Sequence, residues 1–167
     1  EAYFVKHEPL RHPPIFYLGH TASFYMNKLI LGKFTDQRID GELEIQTAVG
    51  VDEMSWDDLD VSHYAWPSAD ECRENPKCGE DFLQRVVNYR HKLRNQVNTL
   101  IDENELTLPI DKNSFFYIIL MGIEHERIHL ETSSVIFRQA DLKYGFCFVI
   151  FCCNFFVVER CVCVCGN

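Results

Sequence analysis

Apolar and polar positions along the chain fall into a few stretches with helical spacing. Residues 15–33, IFYLGHTASFYMNKLILGK, follow Pro13-Pro14 and are apolar on most faces, which predicts a buried helix. On that helix His20 shares a face with Phe16, Phe24 and Asn27, so its ring points inward and needs a partner or a metal. Residues 35–66 lose this period and turn acidic, with Asp52, Glu53, Asp57, Asp58 and Asp60 among Met54, Trp56 and Leu59; they read as a long connection holding one short helix, its acids a solvated face. After Trp66-Pro67, Ser68 and Glu71 have capping-box spacing and predict a helix start, which Asn75-Pro76 and Gly79 interrupt.

From Phe82 onward, Phe82, Val86, Tyr89, Leu93, Val97 and Leu100 recur at steps of three and four, an amphipathic helix of about six turns. Pro109 and Asp111 mark the next connection, and Ser114 is placed to cap a last long helix reaching Gln139. Its inward face would carry Ile118, Met121, His125, Ile128 or His129, Thr132 and Ile136. Three or four long helices, with no alternating strand in the first 140 residues, predict an all-α fold: an antiparallel helical bundle of the four-helix kind, without internal repeats.

The end of the chain breaks this pattern. Tyr144 to Val158 is apolar apart from Gly145 and Asn154, too short for the ~20 residues of a membrane span and rich in Phe, Val and Cys, so a buried or aggregation-prone strand is expected there. Of eight cysteines, Cys72 and Cys78 lie mid-chain, whereas Cys147, Cys152, Cys153, Cys161, Cys163 and Cys165 crowd the last 21 residues. The Cys-Val-Cys-Val-Cys ending offers soft-metal ligands but lacks paired C-x-x-C spacing. The chain thus divides into a helical domain, 1–142, and a Cys/Phe-rich tail, 143–167, read as foreign to the evolved domain.

Composition narrows the function. A 47% hydrophobic, 13% aromatic chain of 167 residues can bury a core, and the two cysteines of its first 146 residues are no disulfide scaffold. A net charge of -9, with the basic residues scattered, argues against nucleic acid and toward small-molecule or protein partners. No N-terminal stretch has a signal-peptide layout, so a cytoplasmic location is expected.

The candidate chemistry lies in the histidines. His125 and His129 stand four apart on a predicted helix, about one ~5.4 Å turn from each other on one face, which suits two cis ligands of one ion. With Glu126 between them they spell the zinc-protease pattern H-E-x-x-H, yet no third ligand follows: the next residues are Leu-Glu-Thr-Ser-Ser, and no later histidine exists. His20, on the buried face of the first helix, is the better third ligand, because bundle metal sites are built from facing helices. Three neutral imidazoles on one side of an ion leave up to three cis positions open. His7, His12, His63 and His91, the last among Arg90, Lys92 and Arg94, read as solvated, and Glu126 as a solvent-facing helix carboxylate.

In this order, RHPPIFYLGHTASFYMNKL, GVDEMSWDDL, WPSADE and LMGIEHERIHLETSSVIFRQ resemble the N-terminal DinB-like domain of the ovothiol-pathway 5-histidylcysteine sulfoxide synthases, over most of residues 3–140. The ergothioneine-pathway sulfoxide synthases are close relatives, but their second histidine motif continues with Gln-rich residues where this chain has IHLETSS. The resemblance implies a non-haem iron(II) site held by His20, His125 and His129, at which dioxygen couples cysteine sulfur to the histidine ring. It also implies a formylglycine-generating-enzyme-like domain that completes the active site, often followed by a methyltransferase domain, neither of which this sequence contains. Residues 75–88 look like an insertion against that family, and the chain alone is expected to be incomplete as an enzyme. The alternatives are a non-catalytic metal-binding or interaction module and a zinc-dependent DinB-type thiol transferase.

Overall fold

The computed structural model describes residues 1–48 and 66–144. The acidic cluster 52–60, His63 and the six tail cysteines lie outside the described residues. What is described is all-α: α1 Pro14–Leu31, α2 Gly41–Gln46, α3 Ala69–Glu74, α4 Pro76–Glu103 and α5 Phe115–Gln139, with short 3-10 turns at Ala2–Phe4 and Leu142–Tyr144. None of these helices is long and apolar enough to cross a membrane. Three are long, as the periodicity predicts, and α2 and α3 are short.

The apolar character of α1 on most faces has a direct consequence: it becomes the central helix. Of its 18 residues, 13 are buried, and both α4 and α5 pack against it. Pro14 starts the helix at a position that needs no N–H donor, and the chain leaves it after Gly32 through Lys33, whose φ of 62° is the left-handed turn usually given to glycine. Leu18, Ala22, Tyr25, Met26 and Leu29 meet Val86, Tyr89, Leu93 and Val97 of α4 and Phe115, Ile118 and Ile119 of α5 in one core. α1 and α5 approach so closely that a β-carbon on Gly122 would run into the ring of Tyr25.

Helix boundaries follow the caps. Ser68 and Glu71 form the full capping box, at 2.8 and 3.2 Å, and Ser114 Oγ accepts from Phe116 N at 3.2 Å. Asn75-Pro76 ends α3 as expected, but the next helix starts at Pro76 and not at Phe82. Pro76 occupies the first turn, where its missing N–H does no harm, and Gly79 sits inside α4 because Cys72 Sγ would lie 2.8 Å from an added β-carbon there. Residues 75–88 are therefore almost entirely the opening turns of α4.

Three expectations for side-chain direction are corrected. The buried line of α5 runs through Phe115, Ile118, Ile119, Gly122, Glu126, Ser133 and Ile136, while Met121, His125, His129 and Thr132 are half-buried at its edge and Ile128 is 57% exposed. Glu126, expected in solvent, is fully buried. Arg90, expected on a polar face, is buried as well, and the two charges meet at 3.6 Å. Arg90 Nη1 also donates to Leu18 O at 2.7 Å and Thr21 Oγ1 at 2.8 Å, and Tyr25 Oη donates to Glu126 Oε2 at 3.3 Å. This clamp joins α1, α4 and α5, and its existence is why a carboxylate can occupy the core-facing position of α5.

Candidate metal centre

The four-residue spacing of Phe16, His20 and Phe24 puts them on one stripe of α1, and the same spacing puts His125 and His129 on one stripe of α5. Packing of α1 on α5 brings the two stripes together. The ring centroids of His20 lie 4.9 Å from His125 and 4.7 Å from His129, and those of His125 and His129 are 4.4 Å apart. One nitrogen from each ring falls within 4.8 Å of the others, and among the described residues no carboxylate or thiol joins the cluster.

Each ring is held differently. His20 stacks on Phe16 at 4.9 Å, and its Nδ1 lies 2.8 Å from the carbonyl oxygen of Thr47, at the end of α2. A carbonyl only accepts, so Nδ1 carries the proton and Nε2 keeps its lone pair. His125 stacks on Phe24 at 4.0 Å and 15°, and His129 lies tilted against Tyr17 at 5.4 Å. The Nδ1 atoms of these two rings are buried without a hydrogen-bond partner among the described residues, while their Nε2 atoms stand 3.0 Å apart.

The electrostatics keep all three rings neutral. Burial lowers His20 to about 4, against the opposing Thr47 hydrogen bond and with help from His12. Burial lowers His125 to about 2, with His129, His20 and Lys28 adding to it, and lowers His129 to about 3, with His20 and Arg11 contributing. Neutral imidazoles are the metal-binding form.

These donors fit a divalent first-row ion. Two nitrogens bound ~2.1 Å from an ion at a right angle stand about 3.0 Å from each other, which is the His125–His129 separation. The all-imidazole set suits iron or zinc and leaves the ion's double charge uncompensated. A peptidase arrangement does not fit, because Glu126 is turned into the core toward Arg90 and Tyr25 and cannot take a proton from water at the cluster.

Residues 1–133 match the DinB superfamily. The chain belongs to the DinB superfamily. The match covers every residue of the cluster and ends within α5. This DinB chain is also similar to ergothioneine biosynthesis protein 1 of Schizosaccharomyces pombe (strain 972 / ATCC 24843), 28% identical over 141 residues; that likeness covers 79% of this chain and 16% of the yeast protein. The chain thus corresponds to about a sixth of the length of that relative.

Sequence reasoning anticipated which histidines meet but missed what surrounds them. Thr47, Arg90 and the inward turn of Glu126 gave no local signal, since each acts on a partner far along the chain. Three of the remaining histidines lie outside the three-histidine group. His7 Nε2 is 3.1 Å from Ala2 O, and His91 is exposed. His12, expected in solvent, is half-buried among Phe16, Tyr17 and Trp66, and burial lowers its pKa.

Proposed function

We propose that this DinB domain is the iron(II)-binding part of a sulfoxide synthase of the ovothiol type, with His20, His125 and His129 as the ligands. The observation that carries the reading is the meeting of three neutral imidazoles from two helices, within 4.8 Å and with no acid among them. Its support is the family membership, the likeness to a protein named for ergothioneine biosynthesis, and the resemblance of the motifs around these histidines to the ovothiol-pathway enzymes.

When bound, iron(II) supplies the means to activate dioxygen. His20, His125 and His129 would hold the ion with uncharged ligands, which would leave its double charge unneutralised by the protein. Phe16, Phe24 and Tyr17 wall the rings and exclude water from their backs. The reaction that balances is cysteine thiol plus histidine ring C–H plus dioxygen giving a C–S bond, a sulfoxide oxygen and one water. The thiol and ring hydrogens leave in that water, and dioxygen takes up four electrons. Cysteine and histidine are the proposed substrates, and a formylglycine-generating-enzyme-like domain is the proposed partner that completes the pocket.

Anaerobic titration of the purified chain with iron(II) tests the ligand set: one equivalent should bind, and His20→Ala should abolish stoichiometric binding. Oxygen uptake with cysteine and histidine, measured with and without an added partner domain, tests the chemistry. Oxygen-independent, zinc-dependent thiol transfer would replace this reading with a DinB-type transferase, because the same donor set takes zinc. Tight zinc binding with no turnover would leave a non-catalytic module.

A further inference from the structure

Among the described residues one ring of the cluster, His20, is oriented by a hydrogen bond to the backbone, and the acceptor belongs to neither helix that carries the histidines. Thr47 lies at the end of α2, a helix of six residues, too short to hold its own position. Its anchors are explicit. Asp40 caps α2 by accepting from Leu43 N at 3.1 Å, and Arg85 of α4 grips the same carboxylate with two bonds, Nε to Oδ2 at 2.8 Å and Nη2 to Oδ1 at 2.7 Å. Glu44, fully buried, accepts from Ile39 N at 3.1 Å, Asp40 N at 3.2 Å and Arg38 Nη1 at 2.7 Å. At the far end Thr47 Oγ1 donates to Leu43 O at 2.7 Å, leaving Ser23 to donate to Thr47 Oγ1 at 2.5 Å. Gly19 permits the approach, since a β-carbon there would lie 2.7 Å from Thr47 Cγ2.

We infer that Arg85 is a positioning residue of the metal centre: through Asp40 and α2 it holds the Thr47 carbonyl against His20, so that Nε2 of that ring is the metal-facing nitrogen. The metal half of this inference rests on the three-histidine reading; the tautomer half does not. Arg85 occupies the second half of the 75–88 stretch, so that stretch contributes to the centre although it holds no ligand.

The test compares wild type, Arg85→Gln, Asp40→Asn and Arg85→Lys, with Arg73→Gln as control. Arg73 pairs with Asp70 and Glu1, away from α2, so its loss matches the removal of a surface ion pair without touching the relay. Long-range proton–nitrogen NMR on the metal-free protein reads the His20 tautomer, and cobalt(II) titration followed by ligand-field absorption reads affinity. Wild type and Arg73→Gln should show His20 protonated at Nδ1. Arg85→Gln and Asp40→Asn should show a tautomer mixture and an affinity lower by about three- to tenfold, with Arg85→Lys between. If Arg85→Gln fails to fold, Asp40→Asn, which keeps the capping oxygen, decides. Unchanged tautomer and affinity in the folded variants would overturn the inference, as would an equal loss of affinity in Arg73→Gln. A wild-type chain that binds no cobalt(II) would sink the three-histidine reading, and the tautomer result would then decide the relay by itself.

Discussion

Two polar groups, one buried and one half-buried, sit side by side on α5 and are built on opposite lines. Glu126 is charged and spent: Arg90 and Tyr25 occupy its carboxylate, and Arg90 is in turn bonded to Leu18 O and Thr21. His125, one residue earlier, is neutral, and its Nε2 faces His129 and His20 across the packed helices. One residue is a 100° rotation about the helix, enough to send one side chain into the core against α4 and the other to the edge against α1. The contrast teaches that polar burial near a helix–helix contact serves stability where every group is paired, and serves binding where lone pairs are left facing one point.

Breaking the clamp should give the largest effect. Glu126→Ala leaves Arg90 buried without its carboxylate and should destabilise the domain by about 3–5 kcal/mol, read from urea denaturation. A loss under 1 kcal/mol would mean that Arg90 reaches water and that the clamp is not structural. Next in size is the metal's own contribution. Saturation at a hundred times Kd should raise stability by about 2.7 kcal/mol in wild type, and His20→Ala should lose that gain while keeping its helical circular-dichroism signal.

The acid side separates the two regions further. His20 has a folded pKa of about 4, below its ordinary 6.5, so the unfolded chain takes up the proton first. The stability from keeping that ring neutral is therefore present above pH 6.5 and is lost as pH falls toward 4. His20→Ala should flatten the metal-free stability profile in that window by about one proton, or ~1.4 kcal/mol per pH unit. Parallel profiles would place a charged His20 in the folded protein. The smallest expected change is Tyr25→Phe, which removes a 3.3 Å bond to Glu126 and should cost about 1 kcal/mol without altering metal affinity. Weaker metal binding in that variant would show that the clamp and the centre are coupled.

Much of this was legible because helices are local. The Phe82-to-Leu100 series marked the core face of α4, Ser68, Glu71 and Ser114 marked helix starts, and the Phe16, His20, Phe24 stripe pointed inward as its spacing required. Less legible was the exact rotation of α5. The spacing placed the inward face through Met121, His125 and Ile128 or His129, whereas the buried line runs through Gly122 and Glu126. A glycine that admits Tyr25 and a carboxylate answered by Arg90 outweigh one isoleucine, but both reasons depend on partners from other helices.

The sequence by itself determined the helices, their caps and the two histidine-bearing stripes, since these depend on propensity and on a period of 3.6 residues. Tertiary structure alone decided that the stripes meet, that Glu126 leaves the histidines for Arg90, and that Thr47 fixes the His20 tautomer. The physical reason is separation along the chain: Tyr25 and Glu126 are 101 residues apart, Arg90 and Leu18 72, and Thr47 and His20 27, and no local pattern encodes which buried donor will find which acceptor.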